Sequence, residues 1–295
     1  MNKPKTKFTT KNIRPQEGKN ILITGGNSGL GFECAKVLAS KGANLIIACR
    51  DKDKGEKARE EISKLGKAEF KLLDLASLNS IHKFCDELIK EKRYLDTLIN
   101  NAGVMSIEEK TLTEDGLETQ MAINYFGHFV LTNRLLPLLE KFEEPRVVSV
   151  SSVAAYNTNI NLSNLNSEIH YDPYKVYKRT KLANLLFANE LGWRYPWLTS
   201  VSAHPGVCKT NIKKHLVPSL KKGFSIMSKC IGHSVSDGAL PILYAATKDN
   251  LTSGAYFGPS SYTFGAVSKV KQPKEARKNE KAEQLWNFTK ELLEL

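Results

Sequence analysis

Cysteine is scarce: Cys34, Cys49, Cys85, Cys208 and Cys230 are the only five in 295 residues, and no two form a Cys-x-x-Cys pair. An odd count without pairing excludes a disulfide-stapled scaffold and a thiolate metal centre. We therefore expect no metal and a reducing, cytoplasmic setting, with Cys208 and the others as small buried thiols. Long apolar runs are missing too. The best candidate, Gly238–Ala246, falls well short of the ~18 residues of a membrane-spanning helix and reads as core. Residues 1–11 are basic and polar with no apolar stretch behind them, so we expect neither a secretory signal nor a membrane span.

Aromatic residues make up only 8% and are not interleaved with the basic ones. The formal net charge of +12, with local clusters at 3–11, 213–222 and 269–281, thus does not read as a nucleic-acid surface, which needs stacking rings among its cations. We read it as a solvated face, part of which draws an anionic ligand. Internal repeats and low-complexity linkers are absent from the middle of the chain.

What is present is alternation. Hydrophobic residues reach 41%, enough for a sizeable core. Short apolar runs read as strands at Asn20–Thr24, Leu45–Cys49, Glu69–Leu73, Leu95–Asn100, Arg146–Ser151 and Leu198–Ala203. Helical patterns fill the gaps at Leu30–Lys41, Asp53–Leu65, Ser77–Lys90, Leu117–Glu140 and Asp172–Tyr195. Repeated β-α-β units with short connections predict a single-domain, doubly wound Rossmann fold of class α/β, with a mostly parallel sheet and helices on both faces. We divide the chain into a basic extension (1–17), a catalytic domain (18–268) and a charged, peripheral helical extension (269–295). Segment 211–238 interrupts the alternation. With Leu216, Val217, Leu220, Phe224, Ile226 and Met227 it fits an apolar flap over a cleft.

Gly25, Gly29 and Gly31 fall between the first strand and the first helix. Glycine there lets the backbone turn and a pyrophosphate approach, while the helix start offers free N–H groups. The spacing is Thr-Gly-x-x-x-Gly-x-Gly. Further matches follow in order: Asp74; Asn100-Asn101-Ala102-Gly103; Asn124; Ser152; Tyr177-x-x-x-Lys181; Pro205-Gly206 with Thr210. Together they resemble the short-chain dehydrogenase/reductase family over about residues 18–260. The stretch Ile160–Asn166, inserted before Tyr177, and Lys181-Leu182-Ala183-Asn184 resemble its retinol dehydrogenase and WW-domain oxidoreductase branch.

The resemblance implies hydride transfer between a nicotinamide cofactor and a small apolar carbonyl or alcohol substrate. It implies cofactor contacts from Gly25, Asn27, Ser28, Gly29, Leu30 and Gly31, from Arg50, Asp74 and Leu75, and from Asn101, Ala102 and Gly103. Tyr177, Lys181, Pro205, Gly206, Val207 and Thr210 complete that set. It makes Tyr177 the acid/base, gives Lys181 the nicotinamide ribose, sets Ser152 on the substrate oxygen and places Asn124 in a water-linked proton relay. A competing class is a catalytically idle NADP-binding sensor or scaffold. The helices from Leu117 and Asp172 are apolar enough to permit a homo-oligomer.

Two choices rest on the residues. The second strand ends in Arg50 where an NAD enzyme needs a carboxylate for the ribose hydroxyl. Arg50 suits a 2′-phosphate, so the cofactor is expected to be NADP and not NAD, unless the adjacent Asp51 faces the ribose. Tyr177 and Lys181 lie four apart on one helix face, and a nearby ammonium should lower the phenol's pKa. Tyr174-x-x-x-Lys178 overlaps that pair, and Ser151 competes with Ser152. The residues after Lys181, and the small residue three beyond Ser152, favour Tyr177, Lys181 and Ser152.

Overall fold

The computed structural model describes residues 7–208 and 234–295. Within them, eight strands form one sheet: β1 (Asn20–Thr24), β2 (Asn44–Cys49), β3 (Ala68–Leu72), β4 (Thr97–Asn100), β5 (Arg146–Val150), β6 (Thr199–Ala203), β7 (Tyr256–Pro259) and β8 (Val267–Lys269). Their spatial order is β3-β2-β1-β4-β5-β6-β7-β8, and every pair is parallel except β7 with β8. The winding reverses between β1 and β4. In an open α/β sheet that reversal leaves a crevice beyond the strand ends, where ligands bind.

Seven helices of eight or more residues flank the sheet among the described residues: α1 (Gly29–Ser40), α2 (Lys52–Ser63), α3 (Leu78–Lys90), α4 (Gly127–Leu139), α5 (Pro173–Arg194), α6 (Val235–Thr247) and α7 (Asn279–Leu292). One apolar layer joins α1, α2 and α6 to the sheet through Leu38, Ile62 and Ile242. The other joins α3, α4, α5 and α7 through Phe84, Phe129, Leu186 and Trp286. Because both faces are covered, the strands can be apolar throughout, as Ile21-Leu22-Ile23 is. The expected three-layer, doubly wound fold is therefore present. No helix of the described residues is long and apolar enough to cross a membrane.

Three features depart from the sequence reading. The single helix expected over Leu117–Glu140 is a short α turn (Thr119–Met121), a π-helical stretch (Ala122–Phe126) and α4. Strands β7, which carries Gly258 and Pro259, and β8, of three residues, are too short to show a period. The charged 269–295 segment is not peripheral. Trp286 of α7 is buried, with its ring 4.8 Å from that of Phe129 and 5.7 Å from that of Phe187, and Thr289 meets the Tyr125 hydroxyl at 2.8 Å. The signal was there: Ala282, Leu285, Trp286 and Thr289 sit at i, i+3, i+4 and i+7, hidden among charges.

Candidate active site

The crevice between β1 and β4 is a groove of about 580 Å³. Of the cofactor residues expected from sequence, it is lined by Gly25, Asn27, Ser28, Gly29, Leu30, Arg50, Asp74, Leu75, Asn101, Ala102 and Gly103. Gly31 lies behind the loop. A β-carbon there would stand 2.4 Å from the Gly25 carbonyl oxygen and 2.5 Å from Asn101 Nδ2, so only glycine lets α1 start this close to the strand. Gly25 adopts φ +67, the left-handed region open to glycine. The loop is locked to its neighbour by Thr24. Its hydroxyl oxygen accepts the N–H groups of Asn101 (2.9 Å) and Ala102 (3.0 Å), and Asn101 Nδ2 donates back to the Thr24 carbonyl (2.8 Å). At the groove floor, Ser28 precedes α1 without capping it by its own side chain, which leaves the first N–H groups facing the cleft.

At the β2 end, Arg50 and Asp51 both line the groove. Asp51 caps α2, accepting from Lys54 N at 3.0 Å and pairing with Lys54 Nζ. That pairing holds the Asp51 carboxyl below its ordinary range. Arg50 is exposed on the groove, and Lys54, which sequence reasoning did not single out, lines it too. Asp74 closes a turn by accepting from Ala76 N (2.9 Å).

The inner end of the groove abuts the proton-transfer candidates. A β-carbon on Gly103 would lie 3.1 Å from Asn124 Oδ1 and 3.4 Å from Lys181 Nζ. Asn124 sits in the π-helical stretch. Its side chain accepts from Val104 N (2.8 Å) and donates to Val104 O (2.9 Å) and Thr180 Oγ1 (3.0 Å). Tyr177 is 6% exposed, with the Ser152 hydroxyl close enough to pull on its phenol, whereas Tyr174 is 37% exposed and Lys178 reaches the Asn157 carbonyl. Lys181 is buried, donates to Val150 O (3.2 Å) and lies 5.8 Å from the centre of the Tyr177 ring. Ser151 is an anchor: its Oγ donates to the Lys181 carbonyl at 2.7 Å.

Protonation differs from the expectation. Burial pushes the Tyr177 phenol up to about 12, against the pull of Ser152. Burial also pushes Lys181 down to about 8. The expected lowering of Tyr177 by Lys181 is not found: desolvation of the phenol dominates, opposed by Ser152 and not by Lys181.

Pro205, Gly206 and Val207 leave β6 and do not line the groove. Instead Gly206 (φ +73) packs under the Thr263 carbonyl, which accepts the Val207 N–H at 3.1 Å. Cys208 is buried, its thiol pushed up to about 12 by desolvation. Thr210 and most of the expected flap, residues 211–233, lie outside the described residues, as does Cys230. The end of that segment is not flap: from Val235 it forms α6, with Gly238 against Cys208 and Leu30. Outside that segment, Tyr156 and Tyr262 form an aromatic pair. Their rings meet edge-on at 5.3 Å, and Tyr174 and Phe264 are also exposed. Sequence reading missed Tyr156 and Tyr262, whose contact spans over a hundred residues.

Comparison with known proteins gives the family. Residues 19–220 match the family model "short chain dehydrogenase". Retinol dehydrogenase 14 of Mus musculus is 42% identical over 82% of this chain and 78% of its own. Retinol dehydrogenase 12 of Homo sapiens is 40% identical over 94% and 86%. The crystal structure of an uncharacterized protein from Mycobacterium paratuberculosis, 36% identical, superposes with a TM-score of 0.83 over 98% of both chains. The chain thus belongs to the short-chain dehydrogenase/reductase family. It is an oxidoreductase, of a family that uses nicotinamide dinucleotides, and it is similar to retinol dehydrogenases 11–14.

Proposed function

We propose that the protein is an NADP(H)-dependent oxidoreductase acting on a carbonyl/alcohol pair, with residues 18–268 as the catalytic unit. The observation that carries this reading is the meeting at Gly103, where the groove ends against Asn124 and Lys181 beside the buried Tyr177. The groove fits a dinucleotide. Its volume is in the range of cofactor sites, and the loop at Gly25 and Gly31 has no room for side chains. The loop glycines would hold the pyrophosphate at the start of α1, and Asp74, Leu75 and Asn101–Gly103 would line the remainder. Arg50, with Lys54 beside it, favours a 2′-phosphate, since Asp51 is engaged as a cap.

A bound nicotinamide dinucleotide supplies or takes the hydride and, when oxidised, adds a positive charge. The protein's share is orientation and the proton. Tyr177, protonated at neutral pH, gives its Oη proton to the substrate oxygen during reduction. Ser152, beside Tyr177, holds that oxygen. Lys181 gives a proton back to Tyr177 and is itself reprotonated from solvent water, while Asn124 keeps that end of the site ordered. The aromatic pair of Tyr156 and Tyr262, together with the retinol dehydrogenase relatives, supports an apolar substrate.

The test is a panel of aldehydes, ketones and alcohols assayed with NADPH/NADP and with NADH/NAD. We expect turnover of apolar carbonyls with NADPH preferred. Tight NADPH binding with no turnover anywhere would instead mark a cofactor-binding sensor.

A further inference from the structure

His128 opens α4 and is not among the residues the site reading uses. It is 2% exposed. Its Nε2 lies 2.9 Å from Thr24 Oγ1 and its Nδ1 lies 3.1 Å from the Asn124 carbonyl oxygen. Valence fixes who donates. A carbonyl can only accept, so Nδ1 carries the proton. The Thr24 hydroxyl already accepts from Asn101 N and Ala102 N, and its own hydrogen has two acceptors, the free lone pair of Nε2 at 2.9 Å and the Ile99 carbonyl at 3.4 Å, of which the shorter contact is to Nε2. Burial, with Lys181 nearby, keeps the ring neutral, its pKa pushed down to about 4.

The ring thus joins two structures with different tasks. On one side is the threonine that clamps the glycine loop to Asn101 and Ala102. On the other is the carbonyl of Asn124, inside a π-helical stretch where the ordinary helical ladder is shifted: Gly127 N–H bonds to Ala122 O, five residues back. That shifted ladder gives the backbone at Asn124 less support from its own helix, and His128 supplies a side-chain tie in its place.

We propose that His128 is a positioning residue that couples the dinucleotide groove to the proton-transfer group, through Thr24 on one edge of its ring and Asn124 on the other. This rests on the functional reading above. It predicts that the two edges can be separated. Glutamine places its amide near the Nε2 position and asparagine near Nδ1, so each replaces one bond of the ring and loses the other.

The experiment measures NADPH dissociation constants by fluorescence titration, kcat on the best carbonyl of the panel, and Tm, for wild type, His128→Gln, His128→Asn, Thr24→Val and Thr24→Ser. His128→Gln keeps the Thr24 side. It should hold NADPH affinity within about threefold while kcat falls about tenfold or more. His128→Asn keeps the Asn124 side and should show the reverse: affinity weaker by about tenfold, kcat at saturation within about threefold. Thr24→Val should copy the affinity loss, and Thr24→Ser should restore it. Parallel loss of affinity, kcat and Tm in both His128 variants would reduce the residue to core packing and overturn the proposal; so would no change in either. If a His128 variant does not fold, Thr24→Val decides through NADPH affinity alone, and an unchanged value overturns the coupling. Absence of turnover in the wild type strikes the functional reading instead, and the affinity arm still tests the Thr24 edge.

Discussion

The two ends of the groove are built on opposite principles. At the β1–α1 end the protein works by leaving side chains out: Gly25 and Gly31 clear a path, and the remaining contacts are backbone N–H groups and one threonine clamp. At the α5 end it works by burying side chains, with Tyr177, Lys181 and Asn124 all sealed from solvent. The first end is stiff and chemically inert. The second holds groups whose protonation is set by desolvation. One consequence is that damage to the first should appear as lost affinity, and damage to the second as lost rate.

The sharpest way to test that division is Tyr177→Phe. It removes the proton donor and keeps the ring that packs beside Tyr174. Turnover should fall by about 10²–10⁴ while NADPH affinity stays near wild type. Single-turnover kinetics beside equilibrium titration check it. An equal loss of both would show that the two ends are not separable.

Acid should find the buried end next. His128 and His204 are both neutral through burial, with pKa values pushed down to about 4 and about 3 from an ordinary 6.5. Each folded-state value is depressed, so the unfolded chain takes up the proton first. The stability they confer is complete above about pH 6.5 and is lost as pH falls toward 4. At pH 5 the loss is about 2 kcal/mol for each histidine. Urea midpoints at pH 7.5 and 5 should differ accordingly, and a flat profile would contradict neutral burial of both rings. His204 has a further cost, since Nδ1 accepts from Gly206 N and Nε2 finds no partner among the described residues.

The same contrast explains what could be read from sequence. The glycine loop was legible because a requirement for no side chain leaves glycine at fixed spacing, and spacing is what a sequence displays. The order Asn124, Ser152, Tyr177, Lys181 was legible too, as residue types. The direction of the Tyr177 pKa was not, because it depends on how deeply the fold covers the phenol. Thr24–His128 is a contact across 104 positions with no motif to announce it. Asp51 against Arg50 was undecidable from order alone, and both line the groove; what the sequence did not display is that the Asp51 carboxylate is already engaged as the cap of α2.

Arg50→Ala tests the outer, backbone-built end through a charged side chain on its rim. Loss of a charge-assisted contact costs about 1.5–3 kcal/mol, or roughly 10–100-fold in affinity. NADPH should weaken by that amount and NADH hardly at all. Lys54→Ala should act in the same direction less strongly, because Lys54 also pairs with Asp51. Equal weakening of both nucleotides would remove the argument for a 2′-phosphate.

The smallest effect belongs to the Tyr156 and Tyr262 pair. Tyr262 holds φ +66, a conformation unfavourable for a bulky side chain, in a loop that also covers Gly206 through the Thr263 carbonyl. Backbone strain of this kind persists only where the surroundings enforce it, and here the ring stands edge-on to Tyr156. If that ring meets the substrate, Tyr262→Ala removes an aromatic contact worth about 0.5–1.5 kcal/mol. KM for aryl aldehydes should then rise roughly two- to tenfold, with KM for short aliphatic aldehydes and NADPH affinity unchanged. A uniform rise across both substrate classes would mean that the loop supports Gly206 and the β6 end, and that the apolar contact with substrate lies elsewhere.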